Sequence, residues 1–384
     1  MPMASPKITF QSSLEAWLLK PFYNEISVNS ALDRNLSIGS SVGLVRKDNQ
    51  DKAIISKFHS RNSRDKSYIL FAIADGMGGM AEGASCASLL LSSLLAEIID
   101  SKENDTFDKL RSASIIANDV VYKKYSGMGG STLSAILIDS YSNIAAINIG
   151  DSRIYKCNND GGFVQISVDD TIDGQLAAIN KKPSMMAESN RLVQYVGMGE
   201  GIDPHEIVLE NNIDVKNFII TTDGSHYVGG KTIELLLKNS PNSYTFISRL
   251  ITHSLWCGGR DNATAICLSL NEIKNIFQRD KNSKELIQIW NPYGKYAYHN
   301  YLLQSAAHHI AGNSPSYKKP PQVLVDPNIS EKAPPANPRQ TKTEKVRGKK
   351  KLKEQSKLAP VEKDKADDNV QLEIIDYLEK KDEK

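Results

Sequence analysis

Four aspartates sit where an apolar strand candidate gives way to a glycine-containing turn. They are Asp75 in Ala74-Asp75-Gly76-Met77-Gly78-Gly79, Asp151 in Gly150-Asp151-Ser152-Arg153, Asp223 in Thr222-Asp223-Gly224 and Asp261 in Gly259-Arg260-Asp261-Asn262. A single Asp-Gly is ordinarily a turn, but four acids at strand ends point to shared chemistry. If those ends converge, two carboxylates ~5 Å apart repel by roughly 3 kcal/mol at an effective dielectric of ~20, and further pairs add to it. Something cationic must then sit among them. Carboxylate oxygens, carbonyls beside glycine and water are the ligands of hard divalent ions such as magnesium or manganese, whereas zinc calls for histidine and cysteine. Such an ion activates water and neutralises charge in a displacement at phosphorus. Upstream, Arg46 in Gly43-Leu44-Val45-Arg46-Lys47-Asp48-Asn49-Gln50-Asp51 offers a planar fork matched to two phosphate oxygens. Together these residues predict phosphate-ester hydrolysis by metal-bound water.

The elements that must position these acids are legible between about Ser37 and Leu270. Strands are expected at Tyr68–Ala74, Thr132–Asp139, Ile144–Ile149, Ile154–Cys157, Phe218–Thr222 and Ala263–Leu270, and helices at Ala84–Ile99, Phe107–Tyr125 and Thr232–Lys238. Strand runs with helices set apart indicate an α+β fold rather than a βαβ repeat.

Length and composition bound the rest. The 384 residues, 40% of them hydrophobic, suffice for one large core plus an appendage. A net charge of +2 argues against nucleic-acid binding by the chain as a whole. The cysteines Cys86, Cys157, Cys257 and Cys267 form no C-x-x-C pair, and the seven histidines show no metal-like spacing near the acids. A reducing, cytoplasmic setting is the expectation. The first residues lack a basic then apolar signal pattern, and the apolar run Leu89–Ile99 is shorter than the ~20 residues of a membrane span.

The ordered set Arg46-x-x-Asn49-Gln50-Asp51, Asp75-Gly76-Met77-Gly78-Gly79, Gly130-Ser131-Thr132, Gly150-Asp151-Ser152-Arg153, Thr222-Asp223-Gly224 and Gly259-Arg260-Asp261-Asn262-x-Thr264 resembles the metal-dependent (PPM, type 2C) serine/threonine protein phosphatases of bacterial type. The resemblance implies a central β-sandwich of two antiparallel sheets flanked by helices (αββα), with two central Mn2+ or Mg2+ ions at one end. It implies that Asp75 bridges the ions, that the Gly76 carbonyl binds one, and that Asp223 and Asp261 complete the other's shell. Asp51 becomes an outer acid holding metal-bound water, Arg46 the grip on the substrate phosphate, and Asp151 with Asp223 the seat of a third, looser ion. Substrates would be phosphoserine and phosphothreonine in proteins, with a Hanks-type kinase as the implied opposing partner. Thr171 to Gly201 falls where relatives carry a variable flap.

The chain departs from that pattern in places. Gln50 stands where many relatives have Glu, and Met77 and Met80 stand where relatives carry a histidine, which leaves the proton donor to the leaving group unassigned. Ser225-His226-Tyr227 replaces apolar residues, and His226 is a candidate donor. Gly39-Ser40-Ser41-Val42-Gly43 matches a nucleophile elbow, but no helical periodicity follows it. A catalytically silent phosphoprotein-binding module of the same fold is the alternative, and its signature would be loss of a metal carboxylate.

The domain reading is an N-terminal extension at 1–36, the phosphatase domain at 37–272 and an aromatic-rich helical extension at 273–313. The last holds Trp290, Tyr293, Tyr296, Tyr298 and Tyr301. A disordered charged tail at 314–384 follows, whose basic stretch near Arg347 is the one place nucleic acid could engage.

Overall fold

The computed structural model describes residues 6–20, 25–59, 66–77, 82–178, 191–207, 209, 214–279 and 286–299. Two antiparallel sheets lie at its centre. The first orders β1 (Ile26–Ser30), β2 (Leu36–Ser41), β11 (Ala263–Ser269), β10 (Val215–Thr221), β7 (Arg153–Asn158) and β8 (Phe163–Gln165) side by side. The second runs β13 (Gly294–His299), β12 (Leu286–Asn291), β3 (Lys52–His59), β4 (Ser67–Ala74), β5 (Leu133–Asp139), β6 (Ile144–Ile149) and β9 (His205–Glu206).

Period-two alternation explains why the sheets stack. Along β4, Ile69, Phe71 and Ile73 face the core between the sheets, where they meet Phe218 and Ile220 of β10 and Ile266 and Leu268 of β11. The intervening Tyr68, Leu70, Ala72 and Ala74 face outward into a second core, under α1 (Pro6–Leu18), α2 (Gly83–Asp100) and α3 (Thr106–Tyr125). On the other side, Ile219, Ala265 and Cys267 pack beneath α6 (Gly230–Lys238) and α7 (Ser243–Trp256). The expected αββα layering is present. Helix α2 is long and apolar enough by composition to cross a membrane, and 78% of it is buried in the core. All four cysteines are free.

The expected strands and helices stand within a few residues of their predicted ends. Two boundaries of the domain reading need correction. The described residues before 37 belong to the fold: Phe10, Leu14 and Leu18 of α1 are buried in the core, and β1 pairs with β2 from Ile26↔Ser41 to Ser30↔Ser37. The extension expected to be helical over 273–313 is not a helix where it is described beyond α8 (Leu270–Arg279). Residues 286–299 form the β12–β13 hairpin, joined to β3 through Gln288↔Lys57, Ile289↔Ser56 and Trp290↔Ile55. The reason is a two-residue period: Ile287 and Ile289 point into the core, and Tyr296 and Tyr298 pack on Trp17 and Phe10 of α1. Tyr301 and the tail at 314–384 lie outside the described residues.

Candidate active site

The strand order brings the acids to one end of both sheets. Asp75 follows β4 and Asp51 precedes β3, whose Lys52 pairs with Ala74. Asp151 lies in the β6–β7 turn. Asp223 opens the short helix α5 (Asp223–His226) after β10, and Asp261 precedes β11; Thr221 of β10 pairs with both Arg153 and Ala265. A cavity of about 250 Å3 results, lined by Arg46, Gln50, Asp75, Gly76, Met77, Thr132, Asp151, Leu192, Asp223 and Asp261. A larger cavity of about 390 Å3 opens at the far end of the first sheet around Asn158, Lys216 and Asn242, and Glu272 is the one acid in its described lining.

Local hydrogen bonds hold each acid. The backbone N–H of Asp75 donates to Thr132 Oγ1 at 3.0 Å, and its carbonyl accepts from Thr132 N–H and Ser131 Oγ, each at 2.9 Å. Gly76 faces Gly83 at the start of α2, and a Cβ at Gly76 would overlap the Gly83 carbonyl. Gly150, at φ 97°, turns the chain so that Asp151 follows, and its N–H donates to Asp170 Oδ2 at 2.8 Å. Arg153 is held by Asp169 through Nε and Nη2, outside the described lining, and its charge partly offsets the rise at Asp151.

Arg46 is the cation among the described lining residues. Its guanidinium donates to Asp261 Oδ2 at 2.6 Å, and that bond together with the field of Asp223 and Asp75 raises its pKa. Burial drives the Asp75 carboxyl well above the usual range, with the charges of Asp51, Asp223, Asp151 and Asp261 adding to the effect. Burial and the Asp223 charge push Asp151 up to about 7. Asp223 is raised by burial and by Asp261. This is the repulsion expected of acids brought together, and one arginine does not balance it.

Asp51 is placed differently from its neighbours. It lies behind the cavity, 4% exposed, accepting from Thr222 Oγ1 at 2.9 Å, and burial pushes it up to about 7. Its other oxygen, Oδ1, is buried without a hydrogen-bond partner. An orphaned carboxylate oxygen, a set of oxygen donors and the absence of histidine or cysteine from the described lining fit a hard divalent cation. Among the described residues no three acidic, histidine or cysteine side chains close on one point as a finished cage. The acids line a shared cavity and would draw inward on an ion.

Other expectations resolve as follows. Met77 lines the cavity in a histidine's place; Met80 and the glycines Gly78 and Gly79 lie outside the described residues. His226 is buried, its Nδ1 3.1 Å from Thr221 Oγ1, and burial pulls its pKa well below the usual value; it is absent from the lining. Ser41 is buried at the end of β2 with its hydroxyl accepting from Gly43 N–H, and no helix follows, so no nucleophile elbow forms. The flap expectation is met in part: Leu192 reaches the cavity, while 179–190 lie outside the described residues.

Asn262 carries a role that the sequence reading did not assign. Its Oδ1 accepts from Gln50 N–H at 2.8 Å, and its Nδ2 donates to the carbonyls of Val42 at 2.8 Å and Asp48 at 3.0 Å. One side chain thus closes the loop that presents Arg46. The signal available was an asparagine fixed directly after Asp261; its partners more than 200 positions away were not readable.

Residues 37–197 match the family model for protein phosphatase 2C. Over 237 residues the chain is 30% identical to the serine/threonine protein phosphatase PstP of Mycobacterium tuberculosis, covering 59% of this chain and 43% of that protein, so it spans under half of that relative's length. It is 25% identical over 256 residues to the serine/threonine phosphatase stp of Listeria innocua, covering 63% of this chain and 96% of that one. Two crystal structures share the fold. They are the PPM phosphatase MsPP of Mycobacterium smegmatis (TM-score 0.51, 24% identity, 63% of this chain, all of that one) and Stp1 of Staphylococcus aureus (TM-score 0.54, 19%, 66% and 99%). Asp75, Asp151 and Arg46 thus fall within the segment that is similar to protein phosphatase 2C, and the two stacked sheets are the fold of the solved phosphatases.

Proposed function

We propose that this chain is a metal-dependent protein phosphatase that hydrolyses phosphoserine and phosphothreonine. The observation that carries the reading is the cavity in which Asp75, Asp151, Asp223 and Asp261 face Arg46. Asp75, Gly76, Asp223 and Asp261 would hold magnesium or manganese, with Asp151 and Asp223 offering a looser third position. When bound, such ions supply water of lowered pKa and neutralise charge at phosphorus.

The chain's own residues supply the rest. Arg46, 45% exposed at the cavity rim, presents its remaining N–H groups to the phosphate while Asp261 fixes its plane. Asn262 holds the loop behind it. Leu192 contributes an apolar wall toward the peptide side. The described lining contains no histidine, so no imidazole there delivers the proton to the departing serine oxygen. The names of the relatives support the same activity, and an opposing Hanks-type kinase is the partner this reading implies.

Hydrolysis of p-nitrophenyl phosphate and of a phosphothreonine peptide, with manganese and then with excess chelator, tests it. Expected is turnover that needs manganese and that drops to background in Asp75→Asn. Near-normal hydrolysis by Asp75→Asn overturns the assignment. Tight phosphopeptide binding without turnover in saturating manganese makes the chain a silent binding module instead.

A further inference from the structure

The β12–β13 hairpin lies outside residues 37–197, which the family model matches, yet its turn reaches the back of the proposed metal site. Because β12 runs antiparallel to β3 and pairs Trp290 with Ile55, the turn that follows Asn291 falls beside the residues that begin β3, next to Asp51. The turn is built to hold one geometry. Asn291 Oδ1 accepts from the backbone N–H groups of Tyr293 at 2.9 Å and Gly294 at 2.8 Å, and Asn29 Nδ2 on the opposite sheet donates to the carbonyls of Asn291 and Gly294.

That geometry aims the Tyr293 hydroxyl at Asn49. Asn49 Nδ2 donates to Tyr293 Oη at 3.0 Å and to Ser40 Oγ at 2.8 Å, while Asn49 Oδ1 accepts from the backbone N–H of Asp51 at 3.1 Å. Ser40 continues to Thr264 at 2.7 Å. Tyr293, Asp51, Ser40 and Leu18 also line a cavity of about 10 Å3, about the smallest that can admit one water. The orphaned Asp51 oxygen belongs to a residue on that wall.

We propose that Tyr293 is a positioning residue: by holding Asn49 it fixes the Asn49-Gln50-Asp51 turn and thereby sets how tightly the acid cluster takes a divalent cation. The proposal rests on the reading of that cluster as a metal site. Tyr293 is not among the described residues lining the acid cavity, so its effect is on cation affinity rather than on the reaction itself.

The test uses the full chain. Manganese binding is followed by electron paramagnetic resonance of the free ion and by titration calorimetry for wild type, Tyr293→Phe, Asn49→Ala and the double variant. One lost hydrogen bond predicts a manganese Kd about 3- to 10-fold higher in Tyr293→Phe, with kcat at saturating manganese retained and with little change in melting temperature in chelator. Tyr293→Phe should add nothing in the Asn49→Ala background, because the two act in series. An unchanged Kd, or an equal further loss in the double variant, overturns the proposal; Asn49→Ala alone still tests the series should Tyr293→Phe fold poorly. A wild-type protein that binds no manganese, or an Asp75→Asn variant that binds it as tightly, defeats the metal-site reading itself, which is a separate result.

Discussion

The Arg46 guanidinium and the Asp261 carboxylate meet at 2.6 Å across 215 positions of sequence, so the cation that faces the cavity is tethered to one of the acids it serves. Both side chains are partly exposed, at 45% and 32%, and the pair contributes little to stability by itself. Its effect is orientation: the Nη2 edge of the guanidinium is held by Asp261 at the cavity, and under the proposed function the remaining N–H groups would meet the phosphate.

Removing that fork should therefore act on capture. Arg46→Ala is expected to raise KM for a phosphothreonine peptide by about tenfold or more, one charge-assisted hydrogen bond or a little over, with kcat falling less. Arg46→Lys should recover only part of the loss, since an ammonium cannot bond Asp261 and phosphate in one plane. Steady-state kinetics at fixed manganese decide this, and an unchanged kcat/KM makes Arg46 structural.

Asn262 closes the Arg46 loop with three hydrogen bonds from a side chain that is 3% exposed. Asn262→Ala should cost about 2–3 kcal/mol in urea unfolding, because it leaves the Gln50 N–H and two carbonyls without partners. Asn262→Asp should be no milder, as a carboxylate would confront the Val42 and Asp48 carbonyls. A loss below ~0.5 kcal/mol, the range of neutral surface changes, would mean water replaces the clamp.

Two glycines give a paired test of backbone packing. A Cβ at Gly76 would overlap backbone atoms of Gly83 and crowd the Gln50 carbonyl, none of which can swing aside. Gly76→Ala should cost about 2 kcal/mol or more and lower the melting temperature. A Cβ at Gly230 meets nothing within 4 Å, and its position at the start of α6 favours alanine, so Gly230→Ala should be neutral or stabilising by up to about 1 kcal/mol.

Lys109 provides a pH signature away from the site. It is 1% exposed on α3, donates to the Ser101 carbonyl at 3.1 Å and lies 5.5 Å over the Tyr68 ring, and burial lowers its pKa to about 8. The unfolded chain keeps that proton up to the ordinary lysine value near 10.5, so between about 8 and 10.5 the unfolded state binds more protons than the folded one. Stability should therefore rise with pH through that window, the full penalty of the buried ammonium being present below it. Subtracting the profile of Lys109→Met isolates the rise from the opposing titration of Tyr68, which burial raises to about 12. A difference profile flat from pH 8 to 10 would show that the ammonium is solvated.

What the residues state on their own is the chemistry and the local turns. Asp75, Asp151, Asp223 and Asp261 are recognisable because each ends or begins an apolar strand beside a residue that permits a sharp turn, and those signals are local. Helices α2 and α3 are legible for the same reason, as 3.6-residue periodicity needs no partner. The hairpin at 286–299 was misread as helix because aromatic density masks a two-residue period until the β3 edge is there to pair with it. Tertiary structure alone decided that Asp51 is buried beside Thr222, that His226 turns inward to Thr221, and that Asn262 and Tyr293 together hold the chain from Asp48 to Gln50. Those outcomes depend on strand pairings and hydrogen bonds between residues as many as 244 positions apart, which no local pattern encodes.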